Sequence, residues 1–201
     1  MKLPILTELM NRKSPTVFDE RNFGKENLYA LVEAARWAPS CFNNQSWNYV
    51  FVHKKDTTRE ALEAALTRGN AWAKRAPYLV AVAADPDQDC KNNSIPYYTY
   101  NAGLSVMCLV IQAEHLGLNV HQMAGWNEQQ VKEALRYPST FRVIVVFALG
   151  YEADIKSVWE TLDERTRNKV ARTRARKPSI ENFFSESYGK RLLEKKAYSN
   201  F

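Results

Sequence analysis

The residues best suited to chemistry lie in one short stretch, from Arg36 to Trp47, which combines small polar side chains with aromatic ones. Pro39 ends the preceding helical pattern, because its ring blocks continuation of a helix. The polar residues are Ser40, Asn43, Asn44 and Gln45, and the aromatic ones are Trp37, Phe42 and Trp47. Such a loop suits the polar edge of a flat ligand. A plain polar connection between a helix and a strand would have the same composition, so both interpretations stay open.

A second candidate site is the basic sequence Arg12-Lys13-Ser14, directly after a predicted short helix over 4–11. Two adjacent cations and a hydroxyl could hold a phosphate group through charge-assisted hydrogen bonds. Alternatively, the two cations only complement the negative end of the helix dipole.

A third candidate is a run of cations between residues 165 and 177 that contains no acid. Its members are Arg165, Arg167, Lys169, Arg172, Arg174, Arg176 and Lys177. Helical spacing would place Arg165, Lys169, Arg172 and Arg176 on one face. The run could bind nucleic acid or hold a single phosphate, or it could be a solvated surface. Nucleic acid is the weaker hypothesis, because the run has no aromatic residue for base stacking.

Motifs for hydrolytic, nucleophilic or metal chemistry are missing from the sequence. There is no Walker loop, no Gly-x-Gly-x-x-Gly after a strand, no His-Glu-x-x-His and no Gly-x-Ser-x-Gly. The histidines, His53, His115 and His121, are too dispersed to predict a metal site, and His121 is expected at a turn. If the protein is a catalyst, a bound organic cofactor is therefore expected to carry the reaction.

Composition limits the general class of the protein. A chain of 201 residues, 45% hydrophobic and 25% charged, predicts one globular domain, with residues 151–201 as an extension. No apolar run approaches the length of a membrane span, and the N-terminus does not resemble a secretory signal. Cys41, Cys90 and Cys108 are odd in number and far apart, which argues against a disulfide framework and predicts a reducing, cytoplasmic location.

The spacing of hydrophobic residues along the chain predicts a series of helices and strands. Helices are predicted over 4–11, 25–37, 57–67 (capped by Asp56 or Thr57), 97–116 and 128–136, and strands over 47–53, 78–84 and 141–150. The helix over 97–116 is apolar around most of its circumference, which predicts a second subunit against it. The aromatic-dotted tail beyond Tyr151, with Phe183, Phe184, Tyr188, Tyr198 and Phe201, is expected to wrap its own domain or a partner.

Taken together, the motifs resemble those of the nitroreductase-like flavoproteins. The resemblance rests on Arg12-Lys13-Ser14 with Phe18-Asp19, on Ala38-Pro39-Ser40-x-x-Asn43-x-Gln45-x-Trp47, on Gly117-Leu118 with Met123-Ala124-Gly125-Trp126, and on Arg174-x-Arg176-x-Pro178. These motifs cover the chain from about Leu3 to Phe184, in the order found in that family. The resemblance implies an α+β fold with a central, mostly antiparallel sheet flanked by helices. It also implies an intertwined homodimer in which the C-terminal extension crosses the partner subunit.

The same resemblance implies specific roles for the motif residues in binding FMN. Arg12, Lys13 and Ser14 match the positions that contact the phosphate, the ribityl chain and the ring edge, and Arg174 and Arg176 match the basic positions that hold the phosphate. Pro39, Ser40, Asn43 and Gln45 match the loop that the partner subunit contributes to the flavin. Met123, Ala124 and Gly125 match the backbone segment over the ring, where an amide N–H points toward flavin N5.

The implied activity is ping-pong hydride transfer from NADH or NADPH through flavin N5 to a nitroaromatic, a quinone or a similar flat acceptor, with no catalytic side chain. Three positions depart from the family pattern. Thr16 stands where a basic residue is common, Ser46 replaces a proline, and Asn101 stands where relatives often have an acid. The Thr16 departure keeps one alternative open, a flavin-binding sensor or carrier without efficient turnover.

Overall fold

A four-stranded antiparallel sheet forms the centre of the computed structural model, which describes residues 4–192. The strands are β1 (Asn48–His53), β2 (Tyr78–Ala84), β3 (Lys91–Asn92), β4 (Ile95–Pro96), β5 (Asn119–Met123) and β6 (Arg142–Gly150). The sheet has the order β1-β2-β6-β5, every pairing in it is antiparallel, and β3 and β4 form a separate hairpin. This arrangement confirms the predicted α+β class with a mostly antiparallel sheet.

Helices cover both faces of this sheet. They are α1 (Thr7–Asn11), α2 (Lys25–Arg36), α3 (Arg59–Ala64), α4 (Tyr98–His115), α5 (Glu128–Leu135), α6 (Ile155–Val158) and α7 (Glu164–Val170). Short 3-10 segments add to them, the longest over Arg68–Arg75. Among the helices of residues 4–192, none combines the length and the apolarity that a membrane span requires.

The core consists of two layers because the side chains of β2 alternate between the two faces of the sheet. Leu79, Ala81 and Ala83 belong to the layer that also contains Leu62 of α3 and Val131 of α5. The opposite layer is built around Val80 and Val82 and packs against α2 and α4. This arrangement explains why the sequence of β2 is a continuous apolar run, since both faces of the strand are covered.

One face of α4 is buried and another is exposed. Ala102, Val106 and Leu109 are buried against the sheet, whereas Tyr100 and Met107 are 60% and 40% exposed. The apolar character of the exposed face is what predicted a covering subunit, and that subunit remains a prediction.

Several predicted boundaries were wrong. The helix predicted over 57–67 is shorter, begins at Arg59 and has Thr58 as its N-cap residue with no side-chain cap bond. After this helix the chain forms the 3-10 segment Arg68–Arg75, which was not predicted. Strand β5 was not predicted, and His121 lies in this strand rather than at a turn.

The prediction about cysteines was also wrong. Cys41 and Cys90 form a disulfide that links the stretch over 36–47, called the polar loop below, to the segment before β3, and Cys108 is unpaired. The two bonded residues are 49 positions apart, so their spacing did not indicate a pair.

Candidate functional site

A basic cleft is lined by residues from near both ends of the described chain. It has a volume of about 450 Å³ and lies between the segment after α1 and the segment after α7. Its cations are Arg12, Lys13, Lys169, Arg172, Arg174 and Arg176, and its one lining carboxylate is Glu152. The structure therefore brings together five predicted site residues, Ser14 included, that come from opposite ends of the sequence. We call this cavity the basic cleft.

Arg174 ties the C-terminal segment to the end of α1. Its guanidinium donates hydrogen bonds to the backbone carbonyls of Met10 and Arg12, which are among the carbonyls that a helix end leaves unpaired. Since a guanidinium carries five N–H donors, others remain for a ligand. Arg12 in turn donates to the Ser14 hydroxyl at 3.2 Å. The contacts fix Arg12 and Arg174 on the same side of the cleft.

The electrostatics of the basic cleft favour an anion. Burial lowers the pKa of Arg12, and the neighbouring guanidiniums of Arg176 and Arg174 lower it further, because like charges crowd there. Lys13 is different, since it forms an ion pair with Glu152 within the same chain. Burial also raises the pKa of Glu114 on α4, against the opposing effect of Arg12. A bound phosphate would relieve the repulsion among the three arginines.

Gly125 occupies a position where the backbone is closely surrounded. Its carbonyl accepts hydrogen bonds from the Thr67 N–H at 3.0 Å and from the Asn70 side-chain amide at 2.9 Å. A Cβ atom at Gly125 would lie 2.3 Å from the Thr67 hydroxyl oxygen and 2.8 Å from the Asn70 nitrogen. Only glycine fits there without a shift of the Thr67 and Asn70 side chains.

The two residues before Gly125 contribute differently. Met123 is 5% exposed and its side chain belongs to the core, so only its backbone is available to a ligand. Its carbonyl already accepts a hydrogen bond from the indole of Trp126 at 3.1 Å. Ala124 is exposed. The segment is thus held by its neighbours, and its outer surface is the backbone at Ala124 and Gly125.

The polar loop is held by its own side chains. The Ser40 hydroxyl accepts from the Gln45 N–H at 3.0 Å, and the Gln45 side-chain amide donates to the Asn43 carbonyl at 3.1 Å. Phe42, Asn43 and Gln45 have positive φ angles of 49°, 59° and 48°, a region that non-glycine residues seldom adopt. Such backbone strain is common in segments that bind ligands.

Asp89 and Asn101 hold the polar loop in place through hydrogen bonds. Buried Asn101 accepts a hydrogen bond from the Cys41 N–H at 3.2 Å, and Ser46 donates to Asp89 at 2.6 Å. Burial alone would raise the pKa of Asp89, but hydrogen bonds from Ser46, the Cys90 N–H, Asn101 and Asn44 hold that pKa below its ordinary value. The loop residues from 39 to 45 do not line the basic cleft of their own chain, so the structure does not bring these two predicted parts together.

His121 and Trp72, which sequence reasoning did not select, lie behind the cleft. His121 donates through Nδ1 to the Pro15 carbonyl at 2.8 Å, because a carbonyl oxygen can only accept. Its ring lies 4.4 Å from that of Trp72. Burial lowers the pKa of His121, with a smaller contribution from Lys169. Thr67 and Asn70 were missed too, because isolated polar residues carry no signal in a single sequence, whereas Lys169 was already a member of the basic run.

The basic run does not form the predicted helical face. Helix α7 ends at Val170, so Arg172 and Arg176 lie beyond it on an extended segment. Arg174 and Arg176 lie at the basic cleft, whereas Arg167 donates to the Trp159 carbonyl at 3.1 Å and is structural. The described residues therefore offer no continuous cationic helix. Of the aromatic tail residues, Tyr198 and Phe201 lie outside the described residues, as does Leu3. No cluster of histidine, cysteine or acidic residues suited to a metal ion was found within residues 4–192.

Comparison with known proteins gives consistent similarities. The model of the nitroreductase family matches residues 9–93. A protein of Archaeoglobus fulgidus, provisionally named NADH dehydrogenase/NAD(P)H nitroreductase, is 27% identical over 83% of this chain and 96% of its own length. A 15.4 kDa protein of Mycolicibacterium smegmatis is 33% identical over 58% of this chain and 79% of its own. A solved structure described as an oxidoreductase containing FMN has a TM-score of 0.82 at 27% identity, covering 95% of this chain and 96% of that one.

The chain belongs to the nitroreductase family. Its central sheet and flanking helices are the fold of that family, and the predicted nitroreductase-like fold is confirmed. The basic cleft fits a phosphate group, and the tightly packed glycine segment fits a flat ring lying against backbone. On both grounds the residues of this nitroreductase-family chain fit FMN.

Proposed function

We propose that this protein is an FMN-dependent oxidoreductase that takes electrons from NADH or NADPH and passes them to a flat organic acceptor, such as a nitroaromatic or a quinone. One observation carries the proposal, the convergence of Arg12, Arg174 and Arg176 in one cleft. These residues are up to 164 positions apart in the chain. Their three guanidiniums lie in a cleft that is lined by one carboxylate, Glu152. The relatives named for NAD(P)H oxidation and for FMN support the same class of activity.

FMN would be held at its two ends by different parts of the chain. We assign the phosphate to Arg12, Arg174 and Arg176, with Lys13 and Ser14 toward the ribityl chain. The backbone at Met123, Ala124 and Gly125 would lie along the ring, with the Gly125 amide at its reactive edge. When bound, FMN would supply the redox chemistry by taking a hydride at N5 and releasing the electrons to the acceptor.

The residues of the chain contribute position and electrostatics rather than proton transfer. The strained loop with Pro39, Ser40, Asn43 and Gln45 presents polar groups in one fixed arrangement, which lowers the entropy lost on binding a flat molecule. The cationic cleft would fix the phosphate end of FMN and so restrict the positions open to its ring. No side chain is assigned as a catalytic acid or base.

We further propose that the protein works as a homodimer. Large apolar side chains are exposed on α2 and in the polar loop, including Tyr29 at 67%, Trp37 at 74% and Phe42 at 90%. Large apolar side chains with this much exposure are expected where a second subunit covers them. Because the polar loop lies away from the basic cleft of its own chain, a partner would be the one to present it. This proposal includes two further parts. The extension over 151–201 crosses the partner subunit, and residues 1–201 form a single domain.

Two predictions made from the sequence, the cytoplasmic location and nucleic-acid binding, now have less support. The case for a cytoplasmic location rested on unpaired cysteines, and the disulfide between Cys41 and Cys90 removes that support. Nucleic-acid binding loses support as well, because the basic run does not form one helical face. A flavin carrier without turnover remains the second candidate, since Thr16 leaves a non-basic residue beside the cleft.

Anaerobic reduction separates an enzyme from a carrier. The purified protein, loaded with FMN, is mixed with NADH or with NADPH and its visible flavin absorption is followed. We expect bleaching by at least one nicotinamide and recovery of the absorption when a quinone is added. A flavin that neither nicotinamide reduces would leave the carrier as the function of this chain.

A further inference from the structure

A second cavity, of about 480 Å³, lies between the 3-10 segment Arg68–Arg75 and helix α7. It shares Thr16, Val17 and Lys169 with the basic cleft and is otherwise lined by different residues. The proposed function assigns no ligand to it. We call it the side cavity.

The side cavity is strongly cationic. Arg68, Arg75, Arg165 and Lys169 line it, and its one lining acid is Asp163. The Asp163 carboxylate is already used, because it accepts the Thr166 N–H at 2.7 Å and caps α7. Among residues 4–192, no carboxylate forms an ion pair with Arg68, Arg75 or Arg165. Burial lowers the pKa of Lys169, and Arg165 lowers it further, as expected where cations are held together.

An aromatic wall completes the side cavity. Trp72 lines it and is stacked on Phe18, with ring centroids 6.0 Å apart, so the position of the indole is fixed. Leu162 and Val17 add apolar surface. The Trp72 Nε1–H is buried and has no acceptor among the described residues, which is unusual for a native indole. Cations beside a flat apolar wall are the features that bind a phosphorylated nucleoside.

We propose that the side cavity binds the adenosine-phosphate end of the reduced nicotinamide donor. This inference rests on the proposed function, which requires a nicotinamide dinucleotide to bind beside FMN. The two cavities share Thr16, Val17 and Lys169, so a donor anchored in the side cavity would lie next to the basic cleft. Because NADPH carries one phosphate more than NADH, the four cations select NADPH.

Binding of donor fragments to the FMN-loaded protein tests this inference by calorimetry. The probes are adenosine 2′,5′-bisphosphate, adenosine 5′-monophosphate and inorganic phosphate. We expect the bisphosphate to bind most tightly and inorganic phosphate most weakly. Arg165→Gln and Arg68→Gln should each weaken bisphosphate binding about 10-fold or more, as for loss of a charge-assisted hydrogen bond. Lys25→Gln removes an exposed cation from α2 and should leave the affinity unchanged.

Three results would overturn the inference. One is unchanged bisphosphate affinity in Arg165→Gln and Arg68→Gln. Another is equal affinity for inorganic phosphate and for the bisphosphate, which would indicate a bare anion site. The third is loss of FMN from the same variants, which would place FMN itself in the side cavity. A wild-type protein that does not retain FMN would overturn the proposed function and the inference together, whereas retained FMN with unaltered nucleotide binding overturns the inference alone.

Discussion

The buried amide of Asn101 donates hydrogen bonds to both carboxylate oxygens of Asp89, at distances of 3.1 and 2.8 Å. Its side-chain oxygen accepts the Cys41 N–H at 3.2 Å, so one residue of α4 is connected to both sides of the disulfide region. Relatives were expected to carry an acid at this position. In this chain the acid is at Asp89 instead, and a neutral amide is the partner that a buried carboxylate needs.

Asn101→Asp should therefore destabilise the protein at neutral pH by roughly 3 kcal/mol, because it buries a second carboxylate beside Asp89. The deficit should shrink as the pH falls, since protonation of either acid removes the repulsion and restores a donor. Urea unfolding of both proteins at several pH values measures it. A deficit that does not change with pH would show that repulsion between the two acids is not its cause.

Removal of the disulfide should lower stability substantially. The bond closes a loop between residues 49 positions apart. Chain-entropy arguments assign about 4 kcal/mol to a loop of that length. Guanidinium unfolding of the double variant Cys41→Ala with Cys90→Ala measures the loss, at matched chain concentration because a dimer's stability depends on it. Cys108→Ala is the matched control and should change stability by roughly 1 kcal/mol or less. Equal stability of double variant and wild type would mean that the two thiols are not joined in solution.

His121 should make the protein less stable in mild acid. Its pKa in the folded state is lowered from 6.5, chiefly by burial, so the unfolded chain binds the proton more readily. The contribution of the neutral ring is thus complete above about pH 6.5 and is lost as the pH falls through the folded-state pKa. His121→Asn retains a donor for the Pro15 carbonyl but does not titrate. The difference in unfolding free energy between the two proteins should change over this range, and a constant difference would contradict the account.

Gly125→Ala should disturb the proposed ring segment. The new Cβ would lie 2.3 Å from the Thr67 hydroxyl oxygen, so the Thr67 side chain must move. We expect a loss of roughly 1–3 kcal/mol in stability, typical of overpacking, together with weaker FMN retention. Thr67→Ala in the same chain removes the closest atom and should restore part of the loss. A double variant as impaired as Gly125→Ala alone would show that the Thr67 contact is not responsible.

How far the sequence predicts the fold depends on the kind of signal. Strand β2 was predicted with its observed bounds, since a run of apolar residues between polar breaks leaves little choice. Strand β5 was missed because polar residues interrupt it and its pairing with β6 comes from distant contacts. The 3-10 segment Arg68–Arg75 was missed because nothing in its composition distinguishes it from a loop.

The site was predictable only in part. The pairing of Arg174 with the end of α1 links residues 162 and 164 positions apart, and no local pattern predicts such a contact. Family resemblance selected those residues, and the structure brings them together. The same resemblance could not select Arg165 or Trp72, which lie outside the motifs that it uses. The disulfide was missed because the separation of two cysteines along the chain does not reveal whether they are close in space.

The most direct test of the central claim is the FMN content and affinity of the purified protein and of its arginine variants. FMN released on denaturation should amount to about one molecule per chain, as a resident cofactor requires. Arg12→Ala or Arg176→Ala should weaken FMN binding by roughly 1.5–3 kcal/mol, the worth of a charged hydrogen bond, whereas the exposed-cation control Lys25→Ala should not. A protein that neither contains nor takes up FMN, or arginine variants that hold FMN as tightly as the wild type, would contradict the account.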